Sequence, residues 1–247
     1  MKTAVEELSD TFSKEIIRFY QQPVAKEYFA EDANVATQLN RLIEALKKSA
    51  FLKFWKTAFG GAERMIRRAQ RETKAMVRMA FEDYEIDPPD LPKGMQEVIR
   101  ASLEENASLI RNIYSNYVDR IAGDLMRTIT TGESNLQRLT DIVERCRDVA
   151  LHRAENVAMD QTRKAYQTLS RERMKAAGVE KGIWVHTGGT VHPRQNHREF
   201  SGKEFSLKEG APIGHFDGRT DAPTWPSFEP FCRCVWKPVL EWGLKKQ

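Results

Sequence analysis

Residues 184–234 (WVHTGGTVHPRQNHREFSGKEFSLKEGAPIGHFDGRTDAPTWPSFEPFCRC) limit what this chain can be more than any other stretch. Four of the five histidines in the protein, His186, His192, His197 and His215, fall here with two of the three cysteines, Cys232 and Cys234, among closely spaced glycines and prolines. Imidazole nitrogen and thiolate sulfur are the donors that Zn²⁺ takes in tetrahedral sets, and a loop-rich segment with few aliphatics needs such a cross-link to hold one conformation. The expectation is a small β unit closed around a zinc ion. IWVHT reads as a short strand, REFSGKEFSL as a hairpin turning at Ser201-Gly202, and VWKPV as a third strand.

The candidate ligands differ in what the spacing says about them. Cys232 and Cys234 flank one residue and so share a side of an extended segment, while His197, about 35 residues upstream, must be folded back to join them. A C-x-C pair is a less specific zinc signal than two C-x-x-C knuckles, and the competing reading keeps these histidines as surface residues on loops. Three cysteines is an odd number, and a disulfide between Cys232 and Cys234 would be strained, so reduced thiols are expected.

Before this segment the sequence is written in helical spacing. A chain of 247 residues holds one or two domains with a real core. Val5, Leu8, Phe12, Ile16 and Phe19/Tyr20 mark an N-terminal helix that Pro23 stops, with no evident docking partner. Leu39, Leu42/Ile43, Leu46, Phe51/Leu52 and Phe54/Trp55 give a second helix that Gly60-Gly61 ends or bends. The segment DYEIDPPDLPKG forbids helix, and the pattern resumes from Met95 through Ile99, Leu103, Ile110, Ile113, Tyr117, Ile121, Leu125 and Ile129. Ser134 or Asn135 then caps a long helix ending at Gly178, in which Cys146 and His152 read as ordinary helix residues. The fold class is therefore mainly α: an elongated helical region followed by a small loop-rich β unit stabilised by a metal. Its divisions are an N-terminal arm over 1–33, a helical domain over 34–178 with a Pro-rich break at 83–94, and the His/Cys unit over 179–247. The apolar stripes look wider than one monomer's core can cover, which points to assembly.

Within residues 62–81, Arg64, Arg67, Arg68, Arg71, Lys74 and Arg78 share an arc of roughly 120° at helical periodicity. Met65, Ile66, Ala69, Met76, Val77 and Ala80 take the other side. Such a stripe is either a solvated face or a contact to DNA phosphates or an acidic partner. A net charge of +4 and a pI of about 8.9 do not decide between them. No run reaches 18 apolar residues and the N-terminus lacks a signal-peptide core, so the expectation is no membrane and a cytosol-like compartment.

In order, RAENVAMDQTRKAY, the helix end AAGV, WVHTGG, Pro193-Arg194, the His197, Gly202, Phe205 spacing (H-x-x-x-x-G-x-x-F) and CRC resemble the phage head morphogenesis, or Mu F-like minor head protein, family over roughly residues 109–240. Many relatives carry a C-x-x-C pair whose second cysteine corresponds to His197 here. The first falls at Arg194, which cannot bind metal. The resemblance thus implies a structural zinc site of His197, Cys232, Cys234 and His186, with His192 the second choice for the fourth position. It also implies a non-enzymatic virion component in the head interior or at the portal vertex. Its partners would be the portal protein and the major capsid or scaffolding protein, extending to the phosphate backbone of packaged DNA.

The residues read alone are compatible: no nucleotide-binding glycine loop, G-x-S-x-G elbow or H-E-x-x-H motif occurs. The rival from another class is a metal-dependent hydrolase, most naturally a nuclease, with His192 or His197 as base. A thiol pair argues against it, because a catalytic metal keeps an open coordination position.

Overall fold

The computed structural model describes residues 1–21, 33–82, 90–92, 94–131, 135–188, 194–212 and 223–240. Most of the Pro-rich break, Ser134, His192 and His215 lie outside them. The described chain is mainly helical with a small strand-containing C-terminal part. Four helices come first: α1 Lys2–Gln21, α2 Ala33–Ala80, α3 Met95–Thr130 and α4 Leu136–Ala176. They are followed by β1 Lys181–Val185, the short α5 Gln195–Glu199, β2 Glu204–Ser206, β3 Ala211–Pro212, β4 Pro223–Thr224 and β5 Val235–Pro238.

Two expectations about helix limits are resolved here. Asn135 caps α4, its side-chain oxygen accepting the backbone N–H of Arg138 at 2.9 Å. Gly60-Gly61 does not end α2, which continues through both glycines. Each glycine costs about 1 kcal/mol of helix propensity, less than tertiary burial on either side supplies through residues such as Phe54, Ala58 and Ile66.

The chain forms two compact units, and α2, α3 and α4 each contribute to both. The first contains residues 1–63 and 103–158. Its core interleaves Val5, Leu8, Phe12 and Ile16 of α1, Leu39, Ile43 and Phe54 of α2, Ile110, Tyr117, Ile121 and Leu125 of α3, and Leu139 and Ile142 of α4. The partner of the N-terminal helix is therefore this core, with the ring of Phe12 meeting Tyr117 edge-on at 5.7 Å. The apolar stripes are not too wide for a monomer, since in this unit they cover one another and α1 supplies the side that spacing alone could not assign. Leu52 is an exception, 58% exposed although it falls in the predicted stripe.

The second unit holds residues 64–102 and 159–247. Helix α4 ends in a Schellman motif: Gly178 at φ +84° donates to Lys175 and the N–H of Val179 returns to Met174 at 3.0 Å. Met174 and Val179, brought together by that turn, belong to the core beside Val77, Phe81, Trp184, Leu207 and Trp236. The turn delivers the chain into β1, the centre of an antiparallel sheet of order β2-β1-β5, with Trp184 opposite Trp236 and Gly182 opposite Phe205.

The expected strands are present at β1 and β5, but REFSGKEFSL is not a hairpin. Its first residues are helical in α5, and β2 pairs with β1. Gly202, at φ +84°, donates to the carbonyl of Trp184 and reverses the chain between α5 and β2.

Candidate metal centre

His197 and the two cysteines reach one point from opposite ends of the strand unit. His197 is carried by α5, just after Arg194, and Cys232 and Cys234 lead into β5. All three are buried, and their donor atoms lie within 4.8 Å of one another. Nδ1 of His197 is 3.5 Å from Sγ of Cys232 and 3.8 Å from Sγ of Cys234. In a tetrahedral site with Zn–S of about 2.3 Å and Zn–N of about 2.0 Å, sulfur and nitrogen stand about 3.5 Å apart. The three side chains are thus spaced as a group that can hold one metal ion.

His186, just beyond the end of β1, has its Nδ1 3.5 Å from Sγ of Cys234. It is only half-buried and falls outside the mutually close set of three.

The loop around the thiols is built to present them. Ser227 and Phe231 both take φ of +60°, a left-handed conformation uncommon for residues with side chains. The N–H of Ser227 donates to Sγ of Cys232 at 3.3 Å, and its hydroxyl donates to the carbonyl of Cys234 at 3.0 Å. Helix α4 holds the same loop from the other side. The Asp160 carboxylate accepts the N–H of Phe231 at 2.7 Å, and the Gln167 side-chain oxygen accepts that of Trp236 at 3.3 Å.

The rings around His197 are Trp184, edge-on at a centroid distance of 5.1 Å, and Phe200, nearly parallel at 6.3 Å. Glu229 is 5% exposed, its Oε1 3.5 Å from Nε2 of His197 and its Oε2 2.8 Å from Nε of Arg194.

These neighbours fix the charges of the metal-free site. Burial works against a charged His197, but the Cys232 thiolate and the Glu229 carboxylate outweigh it and raise the imidazole to about 9. Cys232 is held well below the ordinary thiol range by the Cys234 thiol and His197, against the opposing effect of burial. Cys234 is pushed the other way by its hydrogen bond with Cys232 and by burial. The pair therefore favours one thiolate and one thiol beside a charged imidazole.

The cationic stripe lies in the same unit on α2. Arg64, Arg67, Arg68, Arg71, Lys74 and Arg78 are all exposed. Glu72 pairs with Arg68 at 2.6 Å and also accepts the hydroxyl of Tyr166, and Lys74 meets Asp90 at 2.8 Å. The apolar side is narrower than its spacing suggests: Ile66, Ala69 and Val77 are buried, whereas Met76 and Ala80 are exposed. Helical phase fixes an angle around the axis, and how far the neighbouring elements reach decides which of those angles are covered.

Sequence reasoning did not reach Glu229, Asp160, Gln167 or Ser227. The one available sign was Glu229 itself, the sole acid within a run of aromatics and prolines, TWPSFEPF.

A protein-family model described as Phage Mu protein F like protein matches residues 119–237. The match takes in the later part of α3, all of α4, and His186, His197, Cys232 and Cys234. An uncharacterized protein of Haemophilus influenzae is 26% identical over 151 residues, 60% of this chain, and the chain spans 31% of that relative's length. No solved structure matches the chain.

Proposed function

We propose that this chain, whose residues 119–237 belong to the Phage Mu protein F like family, is a minor head component of a phage, acting in capsid assembly at or near the portal. The match carries the reading, because the family is one of head morphogenesis. In this reading the protein is a non-enzymatic virion component in the head interior or at the portal vertex. It docks on the portal or on the major capsid or scaffolding protein through its helices. The exposed stripe of Arg64, Arg67, Arg68, Arg71, Lys74 and Arg78 supplies a sequence-independent contact to packaged DNA. Among the described residues, no helix is long and apolar enough to cross a membrane.

In the same reading the C-terminal unit holds one structural Zn²⁺ through His197, Cys232, Cys234 and His186. The two sulfurs and the near 3.5 Å spacings support zinc, and the 1–3% exposure of Cys234, His197 and Cys232 supports a closed rather than a catalytic site. Zinc bound there draws two thiols and two imidazoles into one rigid cross-link and supplies no reaction.

Deletion of the gene in its phage, together with co-purification of the tagged protein against portal and shell proteins, tests the function. Aberrant or uninfectious heads, with tails and DNA replication unaffected, and retention of portal are the expected results. Normal infectious heads without the protein, or indifference to portal and shell alike, would leave the metal-dependent hydrolase as the better reading.

A further inference from the structure

We propose that Glu229 is a positioning residue for the metal centre: clamped by Arg194, it holds the His197 ring so that Nδ1 faces the two thiols and the ring proton stays on Nε2. This rests on the metal reading above and extends it to residues that donate nothing to the ion.

A carboxylate buried to 5% exposure carries a desolvation cost of several kcal/mol unless charged partners offset it. Glu229 has two such partners, one at each carboxylate oxygen. Oε2 meets Nε of Arg194 at 2.8 Å and Oε1 faces Nε2 of His197 at 3.5 Å, both as ion pairs rather than closed hydrogen bonds. Arg194 is fixed in turn, because its Nη2 donates to the carbonyl of Pro230 at 3.0 Å. The guanidinium thus grips both the side chain of Glu229 and the backbone one residue further on, and its charge cancels that of the carboxylate next to the thiols.

The aromatic walls explain why such a device is needed. Trp184 and Phe200 set the plane of the His197 ring. Apolar walls cannot distinguish the nitrogen edge of an imidazole from its carbon edge, so they leave open a half-turn that would move Nδ1 away from Cys232 and Cys234. A carboxylate on the far side breaks this symmetry, since only one orientation gives it an N–H. Imidazole ligands commonly donate their second N–H to a carboxylate or carbonyl, and loss of that partner weakens metal binding about 10- to 100-fold.

The full chain, purified without chelators, is titrated with zinc against a chromophoric chelator as wild type, Glu229→Gln and Glu229→Leu, with circular dichroism to establish folding. Glu229→Leu should bind about 10- to 100-fold more weakly. Glu229→Gln, whose amide oxygen accepts the same proton, should recover most of the loss. The ¹⁵N spectrum of zinc-loaded wild type should show the His197 proton on Nε2 and the metal on Nδ1. Equal affinity in folded Glu229→Leu, or a proton on Nδ1, overturns the assignment. Where Glu229→Leu fails to fold, a proton on Nδ1 in the wild-type spectrum still overturns the assignment. Wild type that takes up no zinc removes the metal reading and this inference together, whereas zinc bound equally by wild type and variants removes only the role of Glu229.

Discussion

The Asp160 carboxylate on α4 accepts the backbone N–H of Phe231 at 2.7 Å, and Phe231 is the residue, at φ +60°, that immediately precedes the Cys232 thiol. A helix residue thereby pins a left-handed turn that a phenylalanine adopts only at a cost. Replacing Asp160 with Ala should lower stability by about 2 kcal/mol, as expected for a charge-assisted hydrogen bond, and should make residues 225–234 cleavable in limited proteolysis. Asp160→Asn, which keeps an acceptor oxygen, should lose much less. Urea unfolding of the two variants checks both statements.

Elemental analysis of protein purified without chelators should give one zinc per chain. Cys232→Ser should abolish it and leave residues 180–240 protease-sensitive while the helices persist by circular dichroism, because the metal closes a long loop whose small core, around Trp184 and Trp236, includes the two thiols themselves. Zinc near zero in the wild type, or unchanged protease resistance in the variant, contradicts the site.

Two different pH dependences should separate the loaded from the metal-free protein. In the metal-free protein, His197 stands at about 9, above its ordinary 6.5, so its contribution to stability is fully present below pH 6.5 and is lost as pH rises through 9. In the same window the depressed Cys232 thiol contributes stability that grows with pH, so urea midpoints of apoprotein should change little between pH 6.5 and 9, and His197→Gln, which removes the opposing contribution, should leave midpoints that rise with pH. Zinc binding should depend on pH strongly, since it must displace the second proton of His197 and the one proton that the thiol pair keeps. Affinity should rise by about two orders of magnitude per pH unit near pH 7, where two protons are released. Competition titrations at three pH values measure the slope.

If the α2 stripe touches phosphate, DNA binding should be indifferent to sequence and should weaken steeply with salt, and Arg67→Ala, Arg68→Ala and Arg71→Ala together should reduce the salt slope. Filter binding at two salt concentrations compares wild type with the triple variant. Identical slopes would mark the stripe as a solvated face, of which the Arg68–Glu72 pair is already an example.

Phe12 is fully buried, and α1 closes one side of its unit's core. Phe12→Ala should cost about 3–5 kcal/mol, as for other fully buried aromatics, and the loss should appear as a lowered urea midpoint.

The helices were legible because a period of 3.6 leaves a long record: Leu39, Ile43, Ile110, Ile113, Ile121 and Leu125 are buried as their spacing predicts. What covers a stripe is not written in the stripe, and for that reason the partner of α1 and the exposure of Met76 could be found only in three dimensions. The candidate metal ligands were legible by chemistry, since few side chains bind metals, and the structure brings His197, Cys232 and Cys234 together. Asp160 and Gln167 were not, because a carboxylate and an amide on a helix look like any solvated pair until a loop about 70 residues away returns its backbone to them. Arg198 and Glu199 open the alternation of REFSGKEFSL yet end α5, because that alternation becomes strand only at β2.

The matched family segment begins at residue 119, inside α3 and between the buried Val118 and Ile121. For recombination between related genes this position is a poor seam. A crossover there would join a foreign half of α3 to a resident half and would set imported α4 residues such as Leu139 and Ile142 against a resident α1 and α2. The matched segment is therefore tied through α4 to residues 1–63, which lie outside the family match, so the two regions are expected to change together.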